Sequence, residues 1–221
     1  MLFVLIIILY LNIYSNSFIY SYNMRKFRNS LLKCNLYNPK HTIIYDDKMP
    51  IIYTDINIID NKYKKIYYSL EHIYPSSYLN SESRHDLHNI FKTSKFINNA
   101  RSNYKYIDLY EYIIHKNNSE TIIYNDINSK KWLKLDNDNY VNHKYKFFIP
   151  NDNSKGIISR AILYMSYNYN LKLFKIINID TLLNWYYKYP PTKSEIYHNN
   201  YVKKIQNTDN KFISCYKKIK I

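Results

Sequence analysis

The sequence predicts an α+β fold, largely helical with short strands, and three observations point there. Short apolar runs bounded by Asn, Asp, Ser or Pro recur through the first two-thirds of the chain. Apolar residues take three-four spacing in the last third. No internal repeat or long Pro/Ser linker interrupts the 221 residues. That length suits one domain, and residues 24–221 read as a single unit behind an N-terminal segment. A hydrophobic fraction of 46% supplies a core, much of it aromatic, with 28 Tyr against a single Gly. Ile, Asn, Lys and Tyr dominate loops and periodic stretches alike. A bias so indifferent to context reflects AT-rich coding rather than a functional demand.

The elements follow in order. Leu2 to Leu11 (LFVLIIILYL) is an apolar run of ten, long enough for the core of a signal peptide and short of the ~20 residues of a spanning helix. Ser15-Asn16-Ser17 offers small residues at the two positions a signal peptidase inspects, which places cleavage near Phe18 and makes 1–17 a signal segment. No basic residue precedes the run, and Arg25, Lys26 and Arg28 follow it, so an uncleaved anchor reaching to about residue 23 is the alternative. The expected location is accordingly secreted or in the secretory pathway, with a membrane-anchored form if cleavage does not occur. Residues 24–70 combine an amphipathic stretch (Phe27, Leu31, Leu32) with strand-like runs at Ile51-Ile52-Tyr53 and Lys65-Ile66-Tyr67-Tyr68. Glu71 to Ser77 reads as an extended segment broken by Pro75, Leu87 to Phe91 as a second short strand, and Lys95 to Asn103 as a helix. Weak alternation over 109–150 (Trp132, Leu133, Leu135; Phe147, Phe148) suggests hairpins or an irregular insert.

Beyond this the pattern turns helical. Ile157, Ile158, Ala161, Ile162 and Met165 follow the spacing of a buried helix face. Asp180 before Thr181-Leu182-Leu183 resembles an N-cap. Thr192-Lys193-Ser194-Glu195 is a capping box opening a helix towards Gln206. The one glycine, Gly156, stands at the start of the first of these helices in a chain that elsewhere turns with Asn, Asp and Ser. Close packing or a positive φ would each explain why it carries no side chain.

Charge narrows the partners. Lys+Arg number 32 against 17 Asp+Glu, a net +15, and the first charged residue is Arg25, so removal of a signal segment leaves the balance intact. A basic excess of this size suits a polyanion, although AT-rich codons also supply lysine. Cys34 and Cys215 lie near opposite ends of the mature chain with no CxxC or Cys/His finger spacing, which argues against a structural zinc site. In an exported protein one bridge between them and two free thiols both stay open.

The chemistry concentrates in Ser69–Asp108. Three blocks stand there in order: Glu71-His72-x-x-Pro75-x-Ser77, Asp86-Leu87-His88-Asn89, and Ile97-Asn98-Asn99-Ala100-Arg101-Ser102-Asn103. Downstream come Lys155-Gly156 with Arg160-Ala161 and Leu163-Tyr164-Met165, then Trp185, Tyr189-Pro190, Glu195, Ile205-Gln206 and Asn210-x-Phe212-Ile213. In this ordered set the sequence resembles the endonuclease I family of His-Me finger (ββα-metal) nucleases, over roughly 69–213 with 109–145 unmatched. The resemblance implies a ββα-metal finger at about 69–108 embedded in a largely helical domain. It implies an endonuclease I-like deoxyribonuclease: a phosphodiester hydrolase that cuts DNA, with RNA as an alternative substrate, with little sequence specificity. It implies a need for Mg²⁺ or another divalent cation and for no small-molecule cofactor.

Phosphodiester hydrolysis asks for a deprotonated water, charge relief at the phosphorus and a stabilised leaving oxygen. A histidine neutral at rest can take the water's proton, and a hard cation holding several waters needs few protein oxygens. The resemblance implies His72 as the base, Glu71 and Asn98 as metal ligands, and Arg84 as the phosphate-binding arginine. Adjacent strand residues point to opposite faces, so Glu71 and His72 can share a site only if the strand ends or twists there. Glu71 and Asn98 are expected to face solvent and metal. Arg101, three positions beyond Asn98 on the same helix face, either reaches substrate phosphate or pairs with a carboxylate. Asp86, His88 and Asn89 are expected to hydrogen-bond within the finger and steer the site. Arg160 and Glu195 suit a helix-to-helix or backbone-fixing contact, and the C-terminal aromatics suit a core. His85-x-x-His88 has zinc-like spacing but no cysteine nearby. Two departures stand out: His198 where the family usually has arginine, and Asn207 where a glycine would sit, a change that asparagine's tolerance of left-handed backbone makes mild. The rival reading is a non-catalytic, secreted or membrane-anchored basic protein that binds nucleic acid on a decayed nuclease scaffold.

Overall fold

The computed structural model describes residues 48–54, 68–108 and 132–216. The N-terminal apolar run, the Phe27–Leu32 stretch, Lys65–Tyr67 and Cys34 lie outside the described residues. Among those described, the chain is mixed α+β, with five α-helices and two small sheets.

Strand β1 (Tyr68–His72) pairs antiparallel with β2 (Ile90–Ser94), setting Glu71 opposite Phe91 and His72 opposite Ile90. Helix α1 (Lys95–Arg101) follows β2 without a break and packs back on both strands. These three elements differ in their limits from the sequence expectation, for local reasons. Strand β2 starts later than Leu87 because the Asp86 carboxylate accepts from the His88 N–H and closes a 3₁₀ turn over Leu87–Asn89. Strand β1 ends at His72, and Pro75, which has no N–H to give a ladder, leads into a second 3₁₀ turn at Ser76–Tyr78. Helix α1 stops at Arg101 because Ser102 adopts φ 54°, ψ −126°.

The strand-like run at Ile51-Ile52-Tyr53 docks on the outer edge of β2. Ile51 bridges Lys92 in parallel, Ile52 N–H donates to the Lys92 carbonyl at 3.0 Å, and Thr93 Oγ1 returns a bond to Ile52 O at 2.9 Å. A second sheet of order β3-β6-β5-β4 is built from β3 (Lys105–Tyr106), β4 (Leu133–Lys134), β5 (Tyr140–Asn142) and β6 (Phe147–Ile149). The described part of the weakly alternating region thus forms antiparallel pairs, with β3 joining β6 in parallel.

Helix α2 (Asp152–Tyr169) is central among the described residues. Its predicted apolar face is buried, and so is every residue from Ser154 to Ser166. It is capped by Asn151, whose side chain accepts from Ser154 N–H, and ends on Asn170 in the left-handed region. Helix α3 (Ile179–Lys188) packs against it, capped by Asn178; Asp180, expected as the cap, sits in the first turn with its own N–H bound by Asn178. Helix α4 (Lys193–Gln206) opens on the predicted Thr192 cap, and a short α5 (Lys211–Ser214) follows. Asn207 closes α4 at φ 57°, ψ 27°, the left-handed conformation expected of it.

One buried cluster joins Ile52, Ile73 and Phe91, on and beside the β1–β2 sheet, to Val141 and Phe148 of the second sheet and to Ile158, Ile162, Leu182, Trp185 and Phe212 of the helices. The C-terminal aromatics are core, with Trp185 and Tyr186 fully buried. Gly156 is there for packing and not for φ: a Cβ would lie 2.5 Å from the Tyr189 carbonyl oxygen and 2.7 Å from Arg160 Nη2. Arg160 in turn holds both carboxylate oxygens of Glu195 at 2.6 Å and the Tyr189 carbonyl at 2.6 Å, all within the core. It therefore makes both contacts expected of it, tying α2 to α4 and fixing backbone.

Candidate active site

The ββα segment gathers its polar side chains at the end of β1. Because the strand stops at His72, Glu71 and His72 both line one pocket of about 300 Å³, together with Pro75, Ser76, Asn98 and Arg101. The adjacency problem of a regular strand is thus solved by ending the strand.

Glu71 does not face open solvent. It is 2% exposed, and its Oε1 takes both protein partners: the Tyr53 hydroxyl at 3.2 Å and Arg101 Nη1 at 3.2 Å. Oε2 makes no hydrogen bond to any described residue. Burial pushes the Glu71 carboxyl up to about 7, against the pull of Arg101 and of the Tyr53 hydroxyl. Asn98 on α1 is oriented just as firmly. Its Nδ2 donates to Ser69 Oγ at 2.9 Å and to the Leu70 carbonyl at 3.0 Å, so the amide oxygen Oδ1 is left without a described partner.

His72 is half-buried. Its Nε2 lies 2.9 Å from the Arg84 carbonyl oxygen. A carbonyl only accepts, so Nε2 carries the proton in that bond and Nδ1 is the lone-pair nitrogen. Burial lowers the pKa of His72, opposed in part by the Arg84 carbonyl, and Arg84, His85 and Arg101 lower it further by their charge. The ring is therefore neutral near pH 7. Arg84 itself is exposed, with its guanidinium donating to the Ser76 carbonyl on the pocket wall at 3.3 Å.

Arg101 is 1% exposed. Besides Glu71 it donates to the carbonyls of His72 (3.2 Å), Ile73 (2.6 Å) and Ser102 (2.9 Å), and it stacks on the Tyr106 ring at 4.5 Å. Burial disfavours its charge, but Glu71 and the two tyrosines outweigh that and raise its pKa. Of the two roles open to it from sequence, this geometry displays the carboxylate pairing.

Asp86, His88 and Asn89 stand behind the pocket. Asp86 Oδ1 accepts from His88 N–H and Gln206 Nε2, and its Oδ2 from the hydroxyls of Tyr164 (3.0 Å) and Tyr169 (2.6 Å). His88 Nε2 donates to the Thr208 carbonyl at 3.2 Å. Asn89 brackets Tyr74, accepting its N–H at 2.7 Å and donating to its carbonyl at 3.0 Å. Together they clamp the lead-in to β2 against α2 and α4. His85 is exposed while His88 is buried, so the pair does not converge. His198 is buried against Phe91, with ring centroids 4.7 Å apart.

The donor set can be tested for fit. Glu71 Oε2 and Asn98 Oδ1 are one charged and one neutral hard oxygen, both unpartnered among the described residues and both from residues lining the same pocket. That set suits a hard divalent cation that keeps most of its waters. Among the described residues no three or more His, Cys, Asp or Glu gather in one place, so an all-protein cage is not what they build.

Residues 9–215 match the family described as Endonuclease I. The chain belongs to that family. As an Endonuclease I member it is a nuclease, its substrate is nucleic acid, and its reaction is phosphodiester hydrolysis. Endonuclease I proteins generally depend on a divalent metal. Tyr53 and Tyr106, both at hydrogen-bond distance within the Glu71 network, carry no sequence signal that would separate them from the other tyrosines among 28.

Proposed function

We propose that this protein is an Mg²⁺-dependent endonuclease that cleaves DNA with little sequence specificity, with RNA as the alternative substrate, and that Tyr68–Arg101 is a ββα-metal (His-Me) finger. The observation that carries the reading is that one pocket is lined by Glu71 and Asn98, each with an oxygen unpartnered among the described residues, and by a neutral histidine with its lone pair on Nδ1. In this reading Glu71 Oε2 and Asn98 Oδ1 hold the cation. When bound, the cation supplies charge relief to the phosphate and stabilises the leaving 3′ oxygen.

The chain's own residues do the rest. His72 accepts a proton from water at Nδ1 while the Arg84 carbonyl holds Nε2–H and keeps the ring in the competent tautomer. The Arg84 guanidinium, exposed beside the Ser76 wall, is placed to meet a substrate phosphate. Low sequence specificity follows from a site that addresses backbone phosphate and not base edges. Export by residues 1–17 completes the proposal, since a nuclease of low specificity is safest outside the compartment of its maker's genome; a membrane-anchored form is the alternative.

The test is nicking of supercoiled plasmid by the purified mature chain with Mg²⁺ and with EDTA. His72→Ala should lower the Mg²⁺-supported rate by about 10²–10⁴-fold. Cleavage that persists in EDTA, or wild-type cleavage by His72→Ala, would overturn the assignment.

A further inference from the structure

We propose that Tyr53 is a positioning residue for the cation-binding carboxylate: its hydroxyl holds Glu71 Oε1 and thereby reserves Oε2 for the metal. The inference rests on the reading of Glu71 as a ligand and goes beyond it, because Tyr53 lies outside all three sequence blocks of the site.

Two independent observations carry it. The first is backbone strain. Tyr53 has φ 63°, the left-handed region that a bulky aromatic residue rarely occupies. Four hydrogen bonds over-determine the position. Tyr53 N–H donates to Ser154 Oγ at 2.8 Å and Tyr53 O accepts from Asn139 Nδ2 at 2.7 Å, while Ile52 is bound on both sides to β2. Three separate parts of the chain thus hold a strained residue in one orientation.

The second observation is where that orientation delivers the hydroxyl. It lies 3.2 Å from Glu71 Oε1 and 2.6 Å from the Tyr106 hydroxyl, which in turn reaches the Ile73 carbonyl at 3.3 Å. An ionised carboxylate only accepts. Tyr53 then gives its single proton to Glu71, so Tyr106 donates its own in the 2.6 Å bond in preference to its longer 3.3 Å approach to the Ile73 carbonyl. The chain of hydroxyls is directional and ends on one oxygen of the carboxylate. Arg101, stacked on the Tyr106 ring, binds the same oxygen. A tyrosine wanted only for its bulk would be as well served by phenylalanine, since its ring already packs edge-on against Phe148 at 5.0 Å.

Tyr53→Phe keeps the ring and removes only the hydroxyl. On the full chain, Mn²⁺ binding by calorimetry without substrate should weaken by about 10-fold, within the range expected when the partner of a metal ligand is lost. The Mg²⁺ midpoint for plasmid cleavage should rise in step, with the rate at saturating Mg²⁺ near wild type. Glu71→Gln is the reference and should weaken Mn²⁺ binding more. Should Tyr53→Phe fail to fold, Tyr106→Phe, which removes the proton donated to Tyr53, should shift Mn²⁺ affinity in the same direction by less. If Glu71→Gln loses Mn²⁺ while the tyrosine variants bind it as wild type does, Tyr53 is not a positioning residue. If Glu71→Gln also binds normally, the assignment of Glu71 as ligand falls, and this inference with it.

Discussion

Replacing Arg101 by methionine should unfold the protein more readily before it changes anything about substrate. The two side chains of the Arg101–Glu71 pair are 1% and 3% exposed, and removing one partner of a buried pair strands the other charge, at a cost of about 3–5 kcal/mol. Three backbone carbonyls lose a donor as well. For a chain of this size each kcal/mol shifts the melting temperature by roughly 2–4 °C, so the variant should melt about 10 °C lower. Glu71 has an escape, because burial already pushes its carboxyl up to about 7. Without Arg101 it can take a proton, and near pH 7 that limits the loss to the lower end of the range. As pH rises, neutralising it costs about 1.4 kcal/mol more per unit, so the deficit relative to wild type should widen between pH 7 and 8.5. Melting curves at those two pH values measure it. The double variant Glu71→Gln, Arg101→Met should recover part of the loss. An Arg101→Met protein that melts within about 2 °C of wild type but binds DNA weakly would refute this and make Arg101 a substrate contact.

Gly156→Ala, which in an ordinary helix would gain about 1 kcal/mol, should here lose about 1–3 kcal/mol in urea unfolding. Its Cβ would meet the Tyr189 carbonyl at 2.5 Å and Arg160 at 2.7 Å, and a more stable variant would show that this wall yields. His198, held down to about 3 by burial and then by His88, stays neutral in the folded state while the unfolded chain protonates near 6.5. Stability should therefore fall as pH drops from about 6.5 towards 3, by on the order of 4 kcal/mol from this group. Glu71 runs the opposite way between 4.5 and 7, so the measurement is the difference between wild type and His198→Leu, which should be flatter in acid. Duplex affinity of His72→Ala should fall steeply with salt as bound phosphates release counterions; a flat response would detach the +15 charge from binding.

The readable and unreadable parts of the molecule divide by how local their causes are. Glu71, His72 and Asn98 are named by short ordered blocks, and β1, β2 and α1 bring all three to one pocket. The Thr192 cap and the left-handed Asn207 are equally local, each set by one side chain's chemistry. The limits of β2 were harder to read because they depend on whether Asp86 spends a lone pair on the His88 N–H, and Asp86 answers also to Tyr164, Tyr169 and Gln206. Arg101 could be placed on the face of Asn98 but not assigned a partner, since spacing says which way a side chain points and not what it meets. Tyr53 was beyond reach. Its role depends on a left-handed backbone at an aromatic residue and on contacts with Ser154 and Asn139, both remote in sequence.

The electrostatics of the pocket favour a catalyst over a decayed scaffold that merely grips nucleic acid. A binder gains from cations that face the phosphates, and this chain has many. It gains nothing from lining the pocket with Glu71 and Asn98, whose Oε2 and Oδ1 are without partners among the described residues and would repel a phosphate. Burying Glu71 is also costly in itself, as its raised pKa reflects. An apolar side chain at 71 would relieve both penalties only by stranding the buried Arg101, and the two partners of the carboxylate, Arg101 and Tyr53, both stand on Oε1. On the proposed reading the arrangement would become favourable with a divalent cation between these residues and the substrate, which would make ligands of two otherwise repulsive neighbours. His72, neutral and with Nδ1 unprotonated, is likewise of little use for holding a polyanion and well suited to accepting a proton. The features that weaken the pocket as a binding site are the ones that phosphodiester hydrolysis requires.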